Sequence, residues 1–428
     1  MKTRESLKNL LLVVLLLGMT YLAVMTWAAN NPKGDYFGLF SSEDEELVSE
    51  LEFPDVDVSP LSVSIRTANG RHSAIYDTAA VEFAYGQTGT ILRRAVQSAS
   101  NGKLVDEQAW LSAIGSTASV LYDYQCDVPM SVFSFWYGNE SPDAFSEYRV
   151  RYLCLSVAEN MVYLHGKSAD GTSCFSFVTD VPQEDLSAAV SVFQPNSYQI
   201  GIESNRTGTP ELLISEEIPQ VPELRVVNVA QVFDANGLDH LLQAFDLNPN
   251  TVSRHIEQDG SRMFVEDTST VKITSAGVVT YSDLRTDLEY NTGLKVRSAA
   301  EVATLWEKAE AARELVVSID ALTDSLGNLY LENIVETADA VEILFGREIG
   351  GVPVDFQRDR AIARVRIQGN RISEVEFVLR RYSASATNSI LLSSKLAAAA
   401  ETSEEGKELF LRYLDVAQET VRAAWYLK

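Results

Sequence analysis

Three cysteines and four histidines in 428 residues are too few, and too scattered, for most of the chemistry those side chains perform. Cys126, Cys154 and Cys174 form no C-x-x-C pair, so neither a redox motif nor a thiolate zinc site is indicated. Three thiols cannot all pair. Cys154 and Cys174 lie in neighbouring strand-like segments, which leaves a bridge between them open in an oxidising compartment, with buried free thiols as the default. His72, His165, His240 and His255 have no ligand spacing, and His72 and His165, beside hairpin turns, are expected at the surface. There is no H-E-x-x-H and no G-x-S-x-G. Ser100-Asn101-Gly102-Lys103 fits S-x-x-K, but S-D-N and K-T-G are missing, and the Asn-Gly reads as a turn between two helices. A non-enzyme without metal or cofactor is therefore expected, the rival being a hydrolase site assembled from residues far apart in sequence.

Basic residues are also in short supply. Thirty-five Lys and Arg face 60 Asp and Glu, a net charge of −25 that disfavours nucleic acid and anionic lipid as partners. Part of the excess is local. Glu43 to Glu46, Glu50, Glu52, Asp55 and Asp57 have no base between them, and residues 30–59 read as a solvated acidic linker.

Long apolar runs are absent but for one. Leu10 to Ala29 carries no charge, and at about 1.5 Å per residue it reaches roughly 30 Å, the thickness of a bilayer's hydrocarbon. Cutting after Ala29 puts the large Trp27 at minus three, a poor signal-peptidase site; cutting after Ala28, with Thr26 there, stays open. An uncleaved single-pass anchor is expected. Lys2, Arg4 and Lys8 place the tail, residues 1–9, in the cytoplasm and the bulk of the chain outside it. Gly18, Tyr21 and Met25 fall on one helix face, with Thr20 adding a hydroxyl, and form the candidate contact stripe within the membrane.

What remains is long enough for two or three α+β domains of antiparallel meanders with packed helices. Pro219 and Pro222 suggest a boundary between 60–218 and 223–428, the latter divisible at 297/298. In the first part, a hairpin turns at Asn69-Gly70, and two helices begin near Thr90 and flank Asn101-Gly102. Strands follow at MSVFSFWYG, VRYLCLSV, MVYLHGK and TSCFSFVTD, then a short helix over Gln183 to Val192. In the strand reading of MSVFSFWYG, Phe133, Phe135 and Tyr137 share one face and Trp136 takes the other; a strand apolar on both faces belongs in a core rather than on a carbohydrate platform.

In the second part, a helix at GLDHLLQAF precedes a meander from Ser253 to Asp283, and an amphipathic helix is expected to start at Ser298, with Glu301 completing a capping box. Hairpins follow at LYLENIVETADAVEILFG and at RAIARVRIQGNRISEVEFVLRRY, which turns at Gly369-Asn370. Arg364, Arg366, Arg371 and the Arg380-Arg381 pair make the one basic concentration. It can clasp an acidic partner or an anionic wall polymer, or pair across strands with Glu374 and Glu376. After the short helix KLAAAAETSEEG, residues 407–428 read either as one helix or as the two strands ELFLRYLDV and VRAAWYLK.

Two stretches, DLNPNTVSRHIEQDGSRMFVEDTSTVKITSAGVVTYSD and GVPVDFQRDRAIARVRIQGNRISEVEFVLRRY followed by LLSSKLAAAA and ELFLRYLD…AAWYLK, resemble the YycH and YycI regulatory proteins of Gram-positive bacteria. That resemblance covers about the C-terminal half of the exported part. It implies a membrane-anchored modulator of a two-component sensor histidine kinase in cell-wall homeostasis, with that kinase and a second membrane-anchored regulator as partners. It also favours two strands over one helix at the C-terminus. The competing expectation is a cell-wall polymer-binding module without catalysis.

Overall fold

Val63 and Ile65 alternate with the polar Ser62, Ser64 and Arg66 in β1 (Ser62–Thr67), and the turn at Asn69-Gly70 folds β2 (Gly70–Ile75) back against it, with Val63 opposite Ala74. This hairpin opens a computed structural model that describes residues 58–204, 209–231, 233–284, 293–298, 300–357, 360–400 and 408–427. The expected tail, anchor and acidic linker up to Asp57 lie outside those residues. The described residues form one compact unit.

The first sheet is antiparallel and adds β3 (Ser100–Val105), β4 (Ser119–Pro129), β5 (Arg149–Ala158), β6 (Met161–Lys167) and β7 (Cys174–Pro182) in the order β2-β1-β4-β5-β6-β7-β3. Helices α1 (Thr78–Ser98), α2 (Glu107–Gly115), α3 (Met130–Trp136) and α4 (Gln183–Ser191) pack on it. A short hairpin of β8 (Gln199–Ile200) and β9 (Leu213–Ile214) leads to Pro222, which opens β10 (Pro222–Asn228).

After α5 (Ala235–Ala244), β11 (Ser253–Ile256), β12 (Arg262–Glu266), β13 (Ser269–Ile273) and β14 (Val278–Asp283) form the expected meander. Helix α6 (Leu305–Asp320) then leads to β15 (Asn328–Glu336), β16 (Val341–Ile349), β17 (Val352–Phe356), β18 (Ala363–Gln368) and β19 (Arg371–Val378). β19 completes the meander beside β14. β20 (Arg380–Asn388) leaves for a small sheet with β10 and β22 (Thr420–Val421). After α7 (Ser394–Ala400), β21 (Leu409–Asp415) and β23 (Ala423–Leu427) close the chain.

The two large sheets join where Asn333 of β15 bridges Asp127 of β4 in parallel. One apolar core runs through both, including Val63, Leu92 and Phe133 from one side and Val316, Phe345 and Val365 from the other. The C-terminal residues are strands because β17 offers β21 a parallel ladder and β23 returns beside it, Leu411 opposite Trp425. The helical spacing of Phe410, Leu414 and Ala417 yields to those ladder partners.

Four local expectations are corrected. MSVFSFW is not a strand. It is α3, with all seven residues buried, so it has no polar face to mark a helical period, and its β-branched and aromatic residues speak for β. Helix α1 begins at Thr78, well before Thr90. Its N-cap Asp77 accepts from the Ala80 amide, and Gly86 and Gly89 weaken the helical signal of an otherwise continuous buried face from Val81 to Val96. Asn101-Gly102 is not an interhelical turn but an irregularity in the exposed strand β3, where the pairing with β7 shifts register. A Cβ on Gly102 would stand 2.3 Å from the Phe177 ring, so only glycine fits. Finally, α6 is capped by Thr304 and Glu307 rather than by Ser298 and Glu301. The same S/T-x-x-E pattern occurs twice, and the second copy brings Trp306, Ala309, Ala312 and Val316 inward, whereas Val302 stays 63% exposed.

Candidate functional site

The arginines singled out by sequence divide between two settings. Arg364 and Arg366 stand on the outer face of β18, opposite Glu376 and Glu374 of β19, while Val365 and Ile367 face the core. Both also approach Glu342 of β16, at 4.0 and 3.9 Å, and Arg360 joins Glu376 at 2.6 Å. Arg371 sits near the hairpin turn and donates to Gln368. The result is a half-exposed ladder of alternating charge. Arg380 is elsewhere. Its side chain is buried in the small sheet, over the Phe356 ring and 3.9 Å from the fully buried Asp415.

A second charged cluster escapes any sequence reading, because its members lie as far apart as Arg151 and Glu408. The Arg151 guanidinium reaches Asp123 at 3.1 and 3.2 Å and both oxygens of Glu408 at 2.5 and 2.6 Å. It lies between the rings of Tyr152 and Phe410, at 4.5 and 5.3 Å. Phe410 carries a second guanidinium, Arg412, which pairs with Asp355 at 2.6 Å. Burial pushes the Asp123 carboxyl up, against the pull of Arg151. This clasp ties the C-terminal strand β21 to β4 and β5. Nearby, the Arg149 guanidinium donates to the Ile334 carbonyl at 2.9 Å, and the Phe135 and Trp306 rings stack at 4.3 Å between α3 and α6. The one cue in the sequence is Arg151, set inside the mostly apolar strand RVRYLCLSV, though nothing there names its partners.

Beside this seam opens a cleft of about 460 Å³. One wall is the entry segment from Val58 to Leu61 and the start of α1; the other is α6, β15 and β16, with α3 contributing Phe133 and Trp136.

The remaining candidates are structural. Cys154 and Cys174 lie on β5 and β7 with β6 between them, Cys154 opposite His165 and Cys174 opposite Lys167. A whole strand spacing each way, about 9 to 10 Å in all, is beyond disulfide reach. All three thiols are free and buried, and desolvation pushes Cys154 up to about 12. His165 is not at the surface. It sits mid-strand against Tyr163, its Nε2 2.9 Å from the Ser156 hydroxyl, and burial, with Lys103 adding to it, lowers it to about 4. Phe133, Phe135, Trp136 and Tyr137 are all buried, and although Phe133 and Trp136 edge the cleft, none stands on the outer surface as a flat platform for a sugar. Ser100 and Lys103 of the S-x-x-K stretch lie on the exposed strand β3. Among the described residues no three His, Cys, Asp or Glu are grouped to hold a metal, and no helix is long and apolar enough to cross a membrane. The membrane stripe of Gly18, Thr20, Tyr21 and Met25 falls outside them.

The architecture is thus an α+β protein of two joined antiparallel meanders, fastened by a buried ionic clasp and closed by a C-terminal strand hairpin. That fold is shared with YycH. The crystal structure of YycH from Bacillus subtilis aligns with a TM-score of 0.51 at 11% identity, covering 87% of this chain and 93% of that one. No family model and no curated protein sequence matches the chain.

Proposed function

We propose that the chain is a non-catalytic regulator held on the outer face of the cell membrane by Leu10 to Ala29, modulating a two-component sensor histidine kinase in concert with a second membrane-anchored regulator. The observation that carries this reading is the fold correspondence with YycH, which extends over nearly the whole of both chains rather than over one shared motif. Two surfaces are assigned to partners. In the membrane, the face of Gly18, Thr20, Tyr21 and Met25 packs against kinase helices, where close approach and a hydroxyl favour association. Outside it, the ladder of Arg364, Arg366 and Arg371 meets an acidic partner, whose carboxylates replace Glu342 and Glu374 as cross-strand neighbours. Arg380, being buried, has no part in that contact. Signalling requires that the anchor bind one kinase state better than the other.

The test is an exchange of residues 10–29 for an unrelated membrane helix, with phosphorylation of the response regulator as readout. Loss of modulation at unchanged protein level is the expected result. Output equal to wild type removes the membrane contact, and retention of the purified chain on isolated cell wall moves the reading to a polymer-binding module.

A further inference from the structure

The cleft beside the seam carries an unbalanced buried charge. Glu348, on β16, is 5% exposed. Its carboxylate accepts from the Asn328 side-chain amide at 2.7 Å, from the Gly351 backbone amide at 2.6 Å, and, at the limit of a hydrogen bond, from the Thr78 hydroxyl at 3.5 Å. Every one of these donors is neutral. They orient the carboxylate without cancelling its charge, and a buried carboxylate ordinarily has a cation beside it.

The nearby cations are engaged elsewhere. Arg347, next to Glu348 along the strand, turns to Asp320 and to the carbonyls of Leu326 and Gly327. Arg313, on the α6 wall, is held by Glu310 at 2.6 and 2.8 Å. What the cleft presents is therefore negative: Glu348 in its wall and the exposed Glu82 of α1 at its rim. The backbone fixes this arrangement. Gly350 and Gly351 both have φ near +70°, at 64° and 78°, and the turn they make aims the Gly351 amide at the carboxylate.

The lining also offers apolar and aromatic side chains, Phe133, Trp136, Leu331 and Phe345 with Val81 and Val317, beside the polar Ser59 and an Asp320 that Arg347 neutralises. At about 460 Å³ the space falls within the usual range for small-molecule sites, roughly 300 to 1,000 Å³. An anion would meet two carboxylates, and a bare metal ion would find one carboxylate among neutral donors. We infer that this cleft binds a small organic cation with an apolar body, an amphipathic primary amine being the simplest, its ammonium between Glu348 and Glu82 and its hydrocarbon on the aromatic wall. The binding is independent of any kinase contact, since both walls belong to the described fold.

Calorimetric titration of the purified full chain, with its membrane mimetic titrated alone as the blank, tests this with three probes of one skeleton: phenylbutylamine, phenylbutanol and phenylbutyrate. The expected result is saturable one-to-one binding of the amine, binding of the alcohol weaker by about tenfold or more, as befits loss of a charge-assisted hydrogen bond, and none of the acid. Glu348→Gln should lose amine affinity by a similar factor. Should that variant fail to fold, Glu82→Gln, at an exposed position, should still weaken the amine roughly threefold and leave the alcohol unchanged. No saturable amine binding, equal affinity for amine and alcohol, or full amine affinity in Glu82→Gln overturns the assignment.

Discussion

The tripeptide Arg-Val-Arg occurs twice on a strand, at 149–151 in β5 and at 364–366 in β18, with two opposite fates. In both copies the valine is buried and the arginines point to the other face. In β18 that face meets water, and the guanidinium groups settle for long contacts to Glu342 with side chains 43% and 33% exposed. In β5 the Arg151 end of that face is covered by β21, which brings Glu408 and Phe410 over Arg151 and leaves its side chain 8% exposed, while Arg149 beside it stays 37% exposed. Local sequence sets which way a strand residue points; a segment some 250 residues away decides whether that direction leads to solvent or to a low-dielectric seam, where the same charge interacts more strongly and is costlier to strand.

The largest effect should come from breaking the covered copy. Arg151→Ala leaves Asp123 buried without its cation and exposes Phe410 to a gap, so it should cost about 3 to 5 kcal/mol in urea unfolding of the full chain. Arg151→Met, which refills the space, should recover less than half of that, because the carboxylates stay unpaired. A loss under roughly 1 kcal/mol for Arg151→Ala would mean that the clasp behaves like a surface pair.

His165 sharpens the contrast through pH, because it too lies on the first sheet, between Ser156 and Lys103 in their strands. Its folded value near 4 is below the ordinary value of about 6.5, so the unfolded chain binds the extra proton first. Its contribution is fully present above about 6.5 and is lost as pH falls toward 4, by at most about 3 kcal/mol. His165→Gln should flatten the decline of the melting temperature across that window relative to wild type. Parallel curves for the two proteins would show that the ring reaches solvent when protonated.

Where the residues that fix an element are local, the sequence is readable. The hairpins turning at Asn69-Gly70 and Gly369-Asn370, the meander from Ser253 to Asp283 and the helix over Gln183 to Ser191 announce themselves by turn residues and alternation. Where burial is complete, it is not. Helix α3 shows no period because it has no exposed side, and Asn101-Gly102 looks like a turn because the register shift it makes depends on β7. Of the candidate sites, the arginine ladder was visible because its partners face each other on the two adjacent strands of one hairpin. The clasp and Glu348 were not, since a carboxylate in a strand gives no sign of whether a cation will stand beside it.

The two candidate caps of α6 make a smaller test of the same point. Thr304→Ala removes the hydroxyl that accepts from the Glu307 amide and should cost about 1 kcal/mol. Ser298→Ala should cost clearly less, for its hydroxyl donates to Glu307 from outside the helix. Equal losses would place the helix start where the sequence first suggested it.

The smallest expected effect belongs to the uncovered Arg-Val-Arg. Arg364→Ala gives up one 4.0 Å contact to Glu342 from a side chain that is nearly half exposed, and each carboxylate it leaves behind keeps another cation, Arg366 beside Glu342 and Arg360 bonded to Glu376. Nothing buried is stranded, so the change in unfolding free energy should lie within about 1 kcal/mol and shrink further in high salt. The informative measurement is the ratio to Arg151→Ala under identical conditions. If Arg364→Ala cost as much, the outer face of β18 would have to be covered in the protein as it stands, and the ladder would be an internal contact rather than a surface open to an acidic partner.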